Sequence, residues 1–268
     1  MVTNNHLSVS QISMFLRCPM QYEFRYIKGI KIPPAGAMIE GTAYHAAIAN
    51  DLWNKKETGE LLPDSEIGDV FSTSFDHQVK TKGLREDEVW EEFEQIDWQG
   101  EDPGQLKDEG IKLAQLYHNT VANTIEPVEI EERKETTIAG FPFVFIADVV
   151  EAKRVIDHKV KKKRFSEDEL KKDLQATTYS MIYQRPFEFH VAVKSKTWMN
   201  LKPAKGETEQ DKWIAKAPRG KGDFLFFTGL VTRVKQAIDT GIFYPNPTGW
   251  VCSEQWCGYY KLCRGKEN

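Results

Sequence analysis

The placement of four cysteines constrains this chain more than any other feature. Cys18 stands near the start, and Cys252, Cys257 and Cys263 lie together near the end of a 268-residue sequence. One distant thiol and a tight triplet can close a single four-thiolate metal site. Any fold that uses them together must bring the two ends of the chain to one place. The first residues lack a basic stretch followed by an apolar run, so a reducing cytoplasm is expected. There, clustered cysteines hold metal more often than they form disulfides. No apolar run approaches the ~20 residues that span a bilayer.

Zinc accepts four thiolates, but its structural sites usually come as paired Cys-x2–4-Cys knuckles. Here four residues separate Cys252 from Cys257, and five separate Cys257 from Cys263. A lone cysteine plus a triplet suits a 4Fe–4S cluster better. Pro245, Pro247, Trp250, Trp256, Tyr259 and Tyr260 are expected to form an apolar jacket around it.

The net charge of −4 argues against nucleic acid until its distribution is considered. Residues 86–109 hold eleven acidic side chains against Lys107 alone. This segment reads as a solvated helical face or a docking surface for a protein. The rest of the chain is therefore basic. Residues 153–164 carry seven basic side chains against Asp157, and residues 194–221 carry eight against three acidic ones, with Trp198 and Trp213 among them. Basic clusters interleaved with aromatics suit phosphate contact and base stacking.

Ser8 or Ser10 is expected to cap a short helix, with a break at Pro19 and a second helical turn after it, and a further helix should cover 38–53. Residues 54–123 read as polar and helical. The pattern then changes. Strands are expected over 128–138, 141–150 and 154–160, with a turn at Ala139-Gly140. Ser166 begins a capping-box helix running to about 184. A fourth strand covers 187–199, a loop rich in Lys, Gly and Pro covers 202–222, and a last helix covers 223–240. This order describes an α/β core. Four regions follow: N-terminal helices over 1–50, a helical insertion over 51–123, the core over 124–240 and the cysteine region over 241–268.

Asp148 ends one expected strand, and Asp157-His158-Lys159 lies on the next. Asp157 and Lys159, two apart on a strand, share a face. A turn centred on Ala152-Lys153 sets Asp148 opposite Asp157, with Cβ atoms roughly 4.5–5.5 Å apart. Carboxylates that close repel unless a cation lies between them, and Mg2+ or Mn2+ suits such oxygen ligands. A lysine there can steady a water nucleophile and the charge on the phosphorus centre, or act as a base if its pKa is lowered.

Asp148 and Asp157-His158-Lys159 resemble the PD-(D/E)xK nuclease signature. Gly41-Thr-Ala-Tyr-His45 is similar to the GxxxH motif of the RecB-like branch, and Gln175-Ala-Thr-Thr-Tyr179 to its QxxxY motif. The cysteine arrangement resembles the cluster-bearing members, which include CRISPR-adaptation, AddB-type and phage exonucleases. The resemblance implies a restriction-endonuclease-like core, a mixed sheet flanked by helices. It implies that His45, Asp148, Asp157 and the main-chain carbonyl of His158 hold Mg2+ or Mn2+, and that Lys159 assists the water. Gln175 and Tyr179 would position DNA and the lysine, and Cys18, Cys252, Cys257 and Cys263 would hold a 4Fe–4S cluster. A glutamate on the preceding strand would support the site, with Glu131 ranked before Glu129 and Glu132. The implied activity is DNA exonuclease action in DNA repair, recombination or phage processing. No Walker-type phosphate loop is present, so a helicase partner would supply any motor. The rival reading is a non-catalytic DNA-end-binding or assembly subunit.

Overall fold

The computed structural model describes residues 6–81, 96–203 and 205–265. Helix α1 (Val9–Arg17) opens at Ser8, whose hydroxyl accepts the Gln11 amide, a donor that a helix start leaves unpaired. Cys18 ends α1. Pro19 begins the short α2 (Pro19–Tyr22), a position where its missing N–H loses no bond. Helix α3 (Gly36–Thr58) carries the Gly-Thr-Ala-Tyr-His stretch and stops at Gly59, whose φ of 88° suits glycine. The polar region beyond supplies α4 (Asp64–Thr81) and α5 (Pro103–Thr120). These three helices pack together around Leu52, Ile67, Phe71, Leu113 and Tyr117, all fully buried. Residues 86–95 of the acidic segment lie outside the described residues.

The strand expected over 128–138 is two strands. Glu131, with a φ of 48°, parts β1 (Glu129–Ile130) from β2 (Arg133–Ile138). The run from Phe141 likewise divides into β3 (Phe141–Ile146) and β4 (Val149–Val150). β2 pairs with β3 and β1 with β4, but the two pairs belong to different sheets. A left-handed residue turns a strand out of its ladder, which is why the alternating pattern of 128–138 does not give one continuous strand. Ala139 and Gly140, both with positive φ, make the tight β2–β3 turn.

β5 (Val155–Lys161) pairs antiparallel with β4, with Val149 opposite Ile156. That is the register a turn at Ala152-Lys153 requires. The helix expected to run from 166 to 184 is two helices. Ser166 and Glu169 form the capping box of α6 (Glu167–Lys172), and the Asp173 side chain then accepts the Ala176 amide and starts α7 (Leu174–Tyr183). β6 (Phe187–Val193) ends earlier than expected because Ser195 caps a short α8 (Lys196–Met199). The expected loop contains β7 (Ile214–Lys216), and α9 (Lys221–Asp239) and α10 (Tyr260–Cys263) follow.

The chain divides into two compact units. One comprises Pro34–Glu132 and Ala147–Pro218. It holds a five-stranded sheet in the order β1-β4-β5-β6-β7, in which only β5 and β6 run parallel. The parallel pair needs a crossover, which α6 and α7 provide. Every residue of β6 is buried, as in a strand covered on both faces. This is an α/β fold with a mixed central sheet flanked by helices, consistent with a restriction-endonuclease-like core. The other unit comprises Met1–Pro33, Arg133–Ile146 and Arg219–Asn268. In it Leu7 bridges Phe143 of the β2–β3 hairpin, and Phe143 packs edge-on against Phe227 of α9. Among the described residues no helix is long and apolar enough to cross a membrane.

Candidate active site and cysteine site

The first unit carries the carboxylates. Asp148 immediately precedes β4, and its Oδ2 accepts the main-chain N–H of His158 on β5 at 2.6 Å. The β4–β5 register makes this bond available. His45, on α3, places Nδ1 3.4 Å from the same oxygen. Glu131, at the break between β1 and β2, completes the group. One ligand atom each from His45, Glu131 and Asp148 lies within 4.8 Å of the others. The left-handed backbone of Glu131 thus falls at the site, where such strain is commonly tolerated.

Asp157 and Lys159 share a face of β5, as alternation requires. Lys159 Nζ lies 2.5 Å from Oδ2 of the fully buried Asp157. Gln175, at the start of α7, donates its side-chain N–H to Asp157 Oδ1. Gln175 therefore touches the carboxylate that holds the lysine. Tyr179, one turn on, is buried with its ring 5.9 Å from that of Phe187. The His158 imidazole is buried, with Nδ1 3.6 Å from Asp148 Oδ2.

The charges are tightly linked. Burial pulls His45 down, but the charge and hydrogen bond of Asp148 outweigh it and raise His45 to about 9. Burial pushes Asp148 up, yet His45 and His158 hold it well below the usual carboxylate range. Asp157 is raised to about 7 by burial and by the charge of Asp148, with Lys159 opposing. Burial and Asp148 also raise Glu131. Burial would lower Lys159, but Asp157 and Asp148 raise it. Three carboxylates crowded together, with Asp157 fully buried, call for more positive charge than His45 and Lys159 supply. One imidazole and two carboxylates suit Mn2+ or Mg2+ as a donor set, so these residues fit a divalent ion.

A buried chain of polar groups behind the site is not apparent from the sequence. The hydroxyl of Tyr117, on α5, bonds His158 Nε2 at 2.9 Å and His190 Nδ1 at 2.8 Å. Glu188 lies next to His190, and Arg154 binds Glu188 at 2.8 Å. Burial lowers His158 and takes His190 down to about 4, so both imidazoles are neutral near pH 7. No motif marks Tyr117, which sits at a core spacing of its helix.

The second unit holds the cysteines. All four thiols are free and line one pocket with Gln21, Pro245, Tyr259, Tyr260 and Arg264 among its other walls. Three sulfurs face N–H donors. The Asn246 amide reaches Cys18 Sγ at 3.4 Å, Gln21 Nε2 reaches Cys257 Sγ at 3.0 Å, and an Arg264 nitrogen reaches Cys252 Sγ at 3.7 Å. Burial and the neighbouring Cys18 raise the Cys263 thiol. Four cysteines lining one pocket offer four sulfur donors, a set that fits a metal or cluster. The expected jacket needs correction. Pro245, Tyr259 and Tyr260 line the pocket as expected and buried Val251 joins them, whereas Trp250 and Trp256 are exposed and, like Pro247, do not line it.

The basic run 194–221 also differs from its expected role. Trp198 and Trp213 are buried and packed edge-on, with centroids 4.7 Å apart, so neither can stack on a base. Residues 214–216 form β7, which draws Trp213 into the core. Lys194 is buried against Glu40 at 2.7 Å. Lys212 is buried too, donating to the carbonyls of Met199 and Leu201.

A model of the PD-(D/E)XK nuclease superfamily matches residues 6–264. A crystal structure from Eubacterium rectale, of a protein described as a candidate exonuclease, is similar in fold. The TM-score is 0.55 at 11% identity, over 98% of this chain and 89% of that one. No curated protein matches the chain.

Proposed function

The chain belongs to the PD-(D/E)XK nuclease superfamily, and from that premise we propose that it is a Mg2+- or Mn2+-dependent DNA exonuclease acting on single strands or DNA ends. The cluster of His45, Glu131 and Asp148 beside the Asp157–Lys159 pair carries this reading. A divalent ion held there would neutralise the carboxylates and polarise the scissile phosphate. His45, Glu131 and Asp148 supply the nearest donors, with Asp157 adjoining them.

The His158 amide fixes the Asp148 carboxylate, and Gln175 fixes Asp157. Asp157 in turn holds the Lys159 ammonium in place. The raised pKa of Lys159 supports a cationic role, in which the ammonium steadies charge developing on the phosphate oxygens, over a role as base. Lys159→Ala should lower metal-dependent degradation of end-labelled single strands by about 100- to 1,000-fold. Degradation unchanged by this substitution would sink the mechanism.

The convergence of Cys18, Cys252, Cys257 and Cys263 on one pocket supports a 4Fe–4S cluster that staples its unit. Anaerobically purified protein should then absorb at about 400 nm and contain iron. A colourless protein with one zinc would reassign the site.

A further inference from the structure

We propose that Trp250 and Trp256 form a stacking surface for the unpaired bases of single-stranded DNA, a role distinct from that of the residues proposed to cleave it. The identity of the strand rests on the nuclease reading above. The two indoles stand side by side, with centroids 6.3 Å apart and planes at 64°. Trp250 is 78% exposed and Trp256 50%. Large aromatic rings are seldom left this open unless something covers them.

Their backbone is pinned. Val251 between them is buried, the Cys252 amide donates to the Gly249 carbonyl at 2.9 Å, and the Asn246 side chain donates to the Arg17 carbonyl at 3.0 Å. The rings are thus presented outward on an ordered segment, which lowers the cost of ordering them on binding.

Charge identifies the occupant. The whole chain has 36 basic and 40 acidic side chains. The unit that carries the tryptophans has 13 basic against 6 acidic, an excess of positive charge on an acidic protein. Lys261 and Arg264 are exposed on the same C-terminal segment, against exposed Glu254 between the two rings. Exposed aromatic rings on a basic body match a strand that offers phosphates and open base faces together. Trp198 and Trp213, buried elsewhere, cannot serve.

The test uses the full chain in EDTA, so that binding is read without cleavage. Fluorescence anisotropy compares a labelled oligothymidylate with an abasic strand of equal length and charge. The unaltered protein should prefer the base-bearing strand by about tenfold or more, the size of a lost stack. Trp250→Ala/Trp256→Ala should erase that preference while binding the abasic strand as before. Should the double change loosen the cysteine segment, Trp250→Ala alone at the more exposed ring carries the same comparison. A variant that keeps the full preference for bases overturns the proposal, and would leave the rings to a protein partner. Mn2+-dependent hydrolysis of bis(p-nitrophenyl) phosphate by the unaltered chain tests the nuclease reading separately, because that substrate has no base.

Discussion

His45 and Asp148 set each other's charge, and a metal ion must break that arrangement to bind. His45 is raised above its ordinary value, so its ion pair with Asp148 stabilises the metal-free protein fully below about 6.5 and is lost as pH rises through about 9. Metal affinity runs the other way. At pH 8, above the value of about 7 for Asp157 and below that of His45, Mn2+ binding should release close to one proton. Affinity should climb toward pH 9. Calorimetry in two buffers of different ionisation enthalpy reads the proton count, and zero release would contradict the pair. Behind the site, Tyr117→Phe should destabilise by about 1–3 kcal/mol, because His158 and His190 each lose a buried partner. Tyr44→Phe is the control. Its hydroxyl is equally buried but has no hydrogen-bond partner among the described residues, so removing it should cost almost nothing on chemical denaturation. Asp148, Asp157, Lys159 and His45 were legible because each lies in a short motif of fixed spacing. Tyr117 and His190 were not, because a hydrogen bond between residues 73 apart leaves no local trace.

Two helices show how the same substitution takes opposite signs. Gly110 on α5 faces Phe71 of α4, and an added Cβ would lie 2.1 Å from the ring. Alanine should gain about 1 kcal/mol of helix propensity there. Forcing a fully buried ring aside costs about 1–3 kcal/mol, so Gly110→Ala should lower the melting temperature. At Gly41 on α3 an added Cβ would meet nothing within 4 Å. Gly41→Ala should therefore stabilise the protein by about 0.5–1 kcal/mol. On the proposed nuclease reading a side chain there would crowd the approaching strand, so cleavage should fall while the melting temperature rises. Melting and strand degradation measured on one preparation decide the matter. At this scale the α/β order and the β4–β5 register were readable from periodicity and turn residues. The splitting of strands at Glu131 and of the capping-box helix at Asp173 was not. A backbone bend and a second N-cap break an element without breaking its pattern.

The cysteines act over the greatest length of chain. Cys18 and Cys252 are more than 230 residues apart, and tying them together removes chain entropy worth on the order of 5 kcal/mol by loop closure. Set against the roughly 5–15 kcal/mol that holds most folded proteins, that is a large share. On the proposed cluster, Cys18→Ser should lose the iron chromophore and melt well below the parent protein, while Lys159→Ala keeps the colour, its own loss of stability coming from the buried Asp157 left without its partner. A Cys18→Ser protein that melts like its parent would remove the staple role. The sequence by itself pointed to the four cysteines and to Asp148, Asp157 and Lys159, and it determined the facing register of β4 and β5, because spacing and alternation act through near neighbours. Only the tertiary structure decided that Glu131 joins His45 and Asp148, that Trp198 and Trp213 are core, and that Trp250 and Trp256 face outward. Composition counts apolar side chains, but which of them are covered depends on segments far away in the chain packing over them.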